Sequence, residues 1–116
     1  MAHTKLLNYL RSHRKRAGLS QADVAFLLGG DSGAHVSRYE RFHRTPSLLT
    51  ALAYEAIFDT AVSELLAGEY QRIERQVMGR AQTLLRRMRK QPTDRATSRK
   101  LTFLQVIAQP LAAKKP

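Results

Sequence analysis

Residues 19–40 read LSQADVAFLLGGDSGAHVSRYE. Two short helical patterns lie in this run, parted by a glycine-rich turn. Ser20 precedes the first pattern, and Asp23 three residues later completes a capping-box-like pair, so a helix is expected over Gln21–Leu28. Val24, Ala25, Leu27 and Leu28 give that helix an apolar side. Gly29, Gly30 and Gly33 fall within five residues, too many for a helix interior, and mark a turn. A second helix is expected over Gly33–Phe42, with Val36 and Tyr39 spaced to point inward. Small Ala25 permits a close crossing of the two, and Val24, Leu28, Val36 and Tyr39 supply the apolar contacts that fix it.

The same reading extends outward in both directions. Upstream, Leu6, Leu7, Leu10 and Arg14 stand at helical spacing, which predicts a helix over Thr4–Ala17 ended by Gly18. Downstream, Thr45-Pro46-Ser47 breaks the chain and caps a helix over Ser47–Phe58. Asp59 and Thr60 turn the chain again; Thr60 is expected to cap a fifth helix packed by Val62, Leu65 and Leu66. These five helices make residues 1–68 a compact all-α domain.

Residues 69–116 form an extension of different character. Tyr70, Ile73, Val77, Ala81, Leu84, Leu85 and Met88 make an apolar stripe of period 3.6 over Tyr70–Lys90, opposite Arg72, Arg75, Arg80, Arg86, Arg87 and Arg89. Pro92 stops this helix, and residues 91–100 read as a polar, basic linker. Leu101, Phe103, Leu104, Val106, Ile107 and Ala108 form a short apolar segment, either a helix capped by Thr97 or Ser98 or a strand. The last six residues, LAAKKP, are expected to be disordered.

Composition narrows the function classes. The chain of 116 residues has no cysteine, which excludes disulfides, zinc-thiolate sites and thiol catalysis. No stretch approaches the roughly 20 apolar residues that span a bilayer. The first residues carry their charges after their apolar side chains, the reverse of a secretory signal. His3, His13, His35 and His43 share no metal-ligand spacing, and no phosphate-binding GxxxxGK[ST] loop occurs. Gly30-Asp31-Ser32-Gly33 matches the surroundings of a chymotrypsin-like nucleophile, but nothing else reads as the β-barrels that chemistry requires. We therefore expect no enzymatic activity, no cofactor and no metal, and no small-molecule pocket is inferred. Net charge is +11, from 20 basic and 9 acidic side chains. Residues 1–68 hold 8 basic and 6 acidic, residues 69–116 hold 12 and 3. Such an excess predicts a polyanionic partner, nucleic acid or an anionic membrane. The membrane is the poorer fit, because the chain lacks tryptophan and its apolar stripe is modest.

The segments LRSHRKRAGLSQADVAFLLGG, VSRYERFHRTPSLLTALAYEAI and VSELLAG together resemble the phage lambda repressor/Cro-type helix-turn-helix family, the XRE family, over about residues 6–68. The resemblance implies a double-stranded-DNA-binding transcriptional regulator, a homodimer, cytoplasmic and nucleoid-associated, of bacterial, phage or mobile-element origin. In that family the second of two closely crossed helices enters the major groove while the first rests on the backbone. Positions that face base edges fall on Gly33, Ala34, Ser37 and Arg38, with His35 beside them. Arg38 is the strongest of these, since its guanidinium fork matches guanine O6 and N7. Phosphate contacts fall on Gln21, Arg41, His43, Arg44, Thr45 and Ser47. Glu40 is expected either to pair with Arg14 or Arg11 or to be solvated, and Arg14, Lys15 and Arg16 form a flanking basic patch or a solvated face. The turn before the recognition helix is one residue longer than the family's usual turn. Dimerisation is expected through Ile73, Val77, Leu84, Leu85, Met88, Leu101, Phe103, Leu104 and Ile107, against two alternatives: packing on the chain's own domain and binding another protein. An antiactivator that holds a protein partner, or an antitoxin, would use the same fold.

Overall fold

Four of the five helices that lie wholly in the first unit end against a residue in left-handed backbone, and those stops set where the next element begins. A computed structural model describes residues 7–30, 32–89 and 94–109. Among them are seven helices and no strand: α1 Leu10–Arg16, α2 Gln21–Leu27, α3 Gly33–Glu40, α4 Leu48–Phe58, α5 Val62–Leu65, α6 Ala67–Met88 and α7 Arg95–Ala108. The chain divides into two compact units, Met1–Tyr70 and Gln71–Pro116.

In the first unit, α1 ends on Gly18 at φ +73°, with the Gly18 and Leu19 amides donating to the carbonyls of Lys15 and Arg14. α2 ends in the same way on Gly29 at φ +85°, with Gly29 and Gly30 donating to Phe26 and Ala25. Both are paired-hydrogen-bond stops that satisfy the last carbonyls of a helix. α3 ends on the same pattern, Phe42 donating to Tyr39 and His43 to Arg38, but the left-handed residue is Phe42 at φ 65°. A side chain there costs about 1 kcal/mol that glycine would not. The start of α2 has the expected capping box: Asp23 N–H donates to Ser20 Oγ at 3.0 Å, and Ser20 N–H to Asp23 Oδ2 at 2.9 Å. That backbone hydrogen bond lowers the Asp23 carboxyl below its ordinary range.

Leu10, Val24, Ala25, Val36, Tyr39, Tyr54 and Leu65 form the core, with Leu19, Leu28, Phe58 and Leu66 packed against it. A run of rings crosses it from α3 to α1. Tyr39 meets Tyr54 edge-on at 6.2 Å, Tyr54 stacks on Phe58 at 6.1 Å, and Phe58 meets His13 at 5.7 Å. The lead-in to α1 is tied down by Tyr9 N–H to Leu65 O at 2.8 Å and by Gly68 N–H to Leu7 O at 3.0 Å. A Cβ at position 68 would meet Leu7 Cα and O at 2.8 Å, so only glycine allows this approach.

Tyr54 is 2% exposed, and its hydroxyl has no hydrogen-bond partner among the described residues. Burial pushes the phenol well above its ordinary range. Tyr54→Phe is therefore expected to stabilise the domain by about 1 kcal/mol, read from the urea midpoint. The same shift fixes a pH dependence. The unfolded phenol ionises near pH 10 while the folded one stays protonated, so stability falls as pH rises above that value. The phenylalanine variant should lose this alkaline component.

In the second unit, Ala81 and Met88 of α6 are buried, while Leu84, Leu85, Leu101, Leu104 and Ile107 are half-buried. α7 runs back far enough for Gln82 Nε2 to donate to Ala108 O at 3.3 Å.

Several boundaries differ from the sequence reading. α1 starts at Leu10, because Leu7 and Tyr9 are used for the backbone ties just described; Thr4–Leu6 lie outside the described residues. α2 and α3 each stop short, at Leu27 and Glu40, where the left-handed residues intervene. Thr60 does not cap α5: its hydroxyl donates to Phe58 O, and Ala61 stands at the cap position. The long helix begins at Ala67, three residues before Tyr70. Residues 95–100 are helix rather than linker, because Asp94, not Thr97 or Ser98, is the cap, accepting from Thr97 N–H at 2.7 Å. The tail LAAKKP lies outside the described residues.

Candidate nucleic-acid interface

The recognition-helix candidate, α3, is fixed on one side and open on the other. Val36 and Tyr39 are buried against the core, at 1% and 9% exposure. The start of α3 packs closely on the start of α2: a Cβ added at Gly33 would lie 3.2 Å from Gln21 Cβ and 3.3 Å from Ala22 N. Gly33 therefore serves the crossing of the two helices. Its missing side chain points at α2, which departs from the base-reading place the resemblance gave it.

The C-terminal end of α3 is held by a buried ion pair. Arg14 Nε donates to Glu40 Oε2 at 2.6 Å, Nη2 to Oε1 at 3.1 Å, and Nη1 to Leu19 O at 3.1 Å. The Glu40 side chain is 3% exposed. The hydrogen bond to Glu40 raises the Arg14 pKa further above its ordinary value, so the charge is permanent. Gln21 Nε2 donates to the same Oε1 at 3.2 Å, so one carboxylate joins α1, α2 and α3. Of the two partners left open by the sequence, Glu40 takes Arg14. Arg14 is accordingly withdrawn from the flanking surface patch, while Lys15 and Arg16 remain exposed. Asn8 adds a tie from the other side, donating from Nδ2 to Tyr39 O at 2.9 Å. No local signal marked Asn8, because its partner lies 31 residues away.

On the open side, Ala34, His35, Arg38 and Arg41 are exposed. Ser37 is half-buried, and its hydroxyl accepts from Arg41 Nη2 at 2.8 Å, which lays the Arg41 guanidinium along the helix. His43, Arg44 and Thr45 follow, all exposed. Ser47 caps α4 with its Oγ, accepting from Thr50 N–H at 3.2 Å. Gln21, half-buried, opens α2. The residues expected to touch bases and those expected to touch phosphates thus lie on α3, on its exit and at the helix starts of α2 and α4. The longer turn does not delay α3, which begins at Gly33 with Ser32 Oγ accepting from Ala34 N–H. The turn borders a cleft of about 160 Å³ lined by Gly29, Gly30, Ser32, His35, Val36 and Thr50, among others. That volume is below the usual range for a small-molecule site.

Two surface features depart from the sequence reading. Leu27, read as part of the apolar side of α2, is half-exposed beside Phe26 at 81%, and Leu48 and Leu49, which stand at the apolar spacing of α4, are exposed as well. Among the proposed dimer residues, Ile73, Val77 and Phe103 are exposed and Met88 is buried within the single chain. Among the described residues no group of three His, Cys, Asp or Glu is placed to hold a metal ion, and no helix is long and apolar enough to cross a membrane.

A helix-turn-helix family model matches residues 10–65, the span from the first residue of α1 to the last of α5. Comparison with curated proteins and with solved structures gave no match.

Proposed function

Residues 10–65 belong to the lambda repressor-type helix-turn-helix family of DNA-binding regulators, and from that premise we propose that the chain reads a specific duplex sequence through α3 and acts as a homodimer. The observation that carries this reading is the two-sidedness of α3. Its inner side is locked by Val36, Tyr39 and the Glu40 ion pair, while Arg38 and Ala34 stand exposed on its outer side. A helix held this rigidly can present a guanidinium to a base edge with little loss of freedom on binding. Arg38 is the base-reading residue in this proposal, with Ala34 and His35 beside it. Arg41, His43, Arg44, Thr45, Ser47 and Gln21 hold phosphates.

The homodimer surface proposed here uses Ile73, Val77 and Phe103, with the half-buried Leu84, Leu85, Leu101, Leu104 and Ile107 adding area. Met88 is not part of it. Two copies would place two α3 helices on half-sites about one duplex turn apart.

The test is selection of bound sequences from a random duplex pool, followed by affinity measurement on the selected and a scrambled duplex. Arg38→Ala should cost about 1–3 kcal/mol on the selected duplex and little on the scrambled one. Equal losses on both would make Arg38 a phosphate contact, and failure to bind any duplex would end the reading. A second reading, a module that captures a protein partner, is favoured by exposed Phe26 and Leu27. It predicts that Phe26→Ser leaves duplex affinity unchanged and abolishes a stoichiometric protein complex.

A further inference from the structure

The face of α6 opposite its apolar stripe is exposed but for half-buried Thr83, and from Arg72 to Arg87 its charged side chains are arginines. Arg72, Arg75, Gly79, Thr83 and Arg86 follow at intervals of 3, 4, 4 and 3 residues, and Arg80 and Arg87 flank that line. All the arginines named are exposed. The second unit as a whole holds 12 Lys and Arg against 2 Asp and Glu.

Gly79 sits in the middle of this face and in the middle of a helix, where glycine is unfavourable relative to alanine. Nothing among the described residues calls for it, since a Cβ there would meet none of them within 4 Å. A glycine with free space above it lets a bulky partner approach the helix backbone. One turn on, Thr83 Oγ1 donates to Gly79 O at 3.2 Å and accepts from Arg86 Nη2 at 3.1 Å, which anchors one guanidinium beside the gap. No aromatic side chain occurs among residues 72, 75, 76, 79, 80, 83, 86 and 87. The face therefore lacks the stacking platform that single strands use, and offers only charge and hydrogen-bond donors. At 1.5 Å per residue, Arg72 to Arg87 covers about 22 Å, a large part of one duplex turn.

We propose that this arginine face of α6 binds the phosphate backbone of double-stranded DNA, as a sequence-blind contact surface additional to α3. The proposal rests on the DNA-binding reading above and adds a site on the second unit. It assigns Gly79 the role of admitting the duplex and Arg75, Arg80, Arg86 and Arg87 that of contacting phosphates.

The test uses the full chain with Arg75→Gln, Arg80→Gln and Arg87→Gln combined, titrated with a selected and a scrambled duplex over a sodium chloride series. Glutamine keeps helix propensity, and circular dichroism checks the helix content. Both duplexes should lose affinity by the same factor, and the slope of log affinity on log salt should become shallower by about 2 to 3, at roughly 0.9 per phosphate contact. Gly79→Leu supplies a second, independent readout: it should melt at a higher temperature than the parent and yet bind both duplexes more weakly. An unchanged salt slope in the triple variant overturns the inference and leaves the α3 reading standing. Absence of salt-sensitive duplex binding by the parent chain overturns both. If the triple variant keeps its duplex affinity but loses binding to phosphatidylglycerol vesicles, the face is a membrane surface and the proposal falls.

Discussion

Arg14→Ala is expected to destabilise the first unit by about 3–5 kcal/mol, enough to unfold much of a domain whose total stability is of ordinary size. The cost arises on the other partner. Glu40, with its side chain 3% exposed, would keep its charge in the interior after losing two hydrogen bonds from the guanidinium. Leu19 O would lose its donor as well. Among the described residues Gln21 Nε2 is the remaining side-chain donor to the carboxylate, and a neutral amide does not offset a buried charge. An exposed pair of the same length would be worth under about 1 kcal/mol, so the urea midpoint distinguishes the two situations. Replacing both partners, as in Arg14→Met with Glu40→Leu, should recover most of the loss, because two apolar side chains of similar volume leave no charge behind. A loss below about 1 kcal/mol for Arg14→Ala would mean that the pair is hydrated in solution and does not clamp α3.

Leu65→Ala is expected to cost about 2–5 kcal/mol. Leu65 is completely buried and belongs to the cluster that includes Leu10, Val36 and Tyr54. α5 has only four residues and no side-chain cap, so it cannot hold its own conformation and is retained by packing. Its Leu65 carbonyl also receives Tyr9 N–H, which places the lead-in to α1 under the same control. The truncation should lower the denaturation midpoint with little change in the slope of the transition, the mark of a cavity in an intact fold. A marked change in slope would instead show that α5 and the lead-in detach together.

How much of this was legible beforehand depends on the range of the interaction that decides each element. The capping box at Ser20 and Asp23, the glycine stops at 18 and 29, and the buried pair Val36 and Tyr39 are local patterns, and the sequence displays them directly. The Arg14–Glu40 pair was legible only as one of three options, because charge identifies candidates while packing alone selects among Arg14, Arg11 and a solvated Glu40. The early end of α3 was not legible, since Phe42 is a poor residue for a left-handed turn and nothing local announces it. Nor was the cap of α7: Asp94 lies two residues past Pro92, in a stretch whose polarity reads as linker. At the interface, the outward place of Arg38 came with the family resemblance, and Arg38 is exposed, whereas the approach of Gly33 to Gln21 depends on how two helices cross.

Capture and retention of DNA would fall to different parts of this chain. The first unit holds 8 basic and 7 acidic side chains, so its distant field is weak, while the second unit carries nearly all of the net charge. Long-range attraction speeds diffusional encounter, and short-range fit slows departure. Added salt should therefore reduce the bimolecular association rate chiefly through residues 71–116. The lifetime of the complex on its preferred sequence should respond chiefly to changes on α3. Stopped-flow mixing at several ionic strengths would resolve the two as separate rate constants.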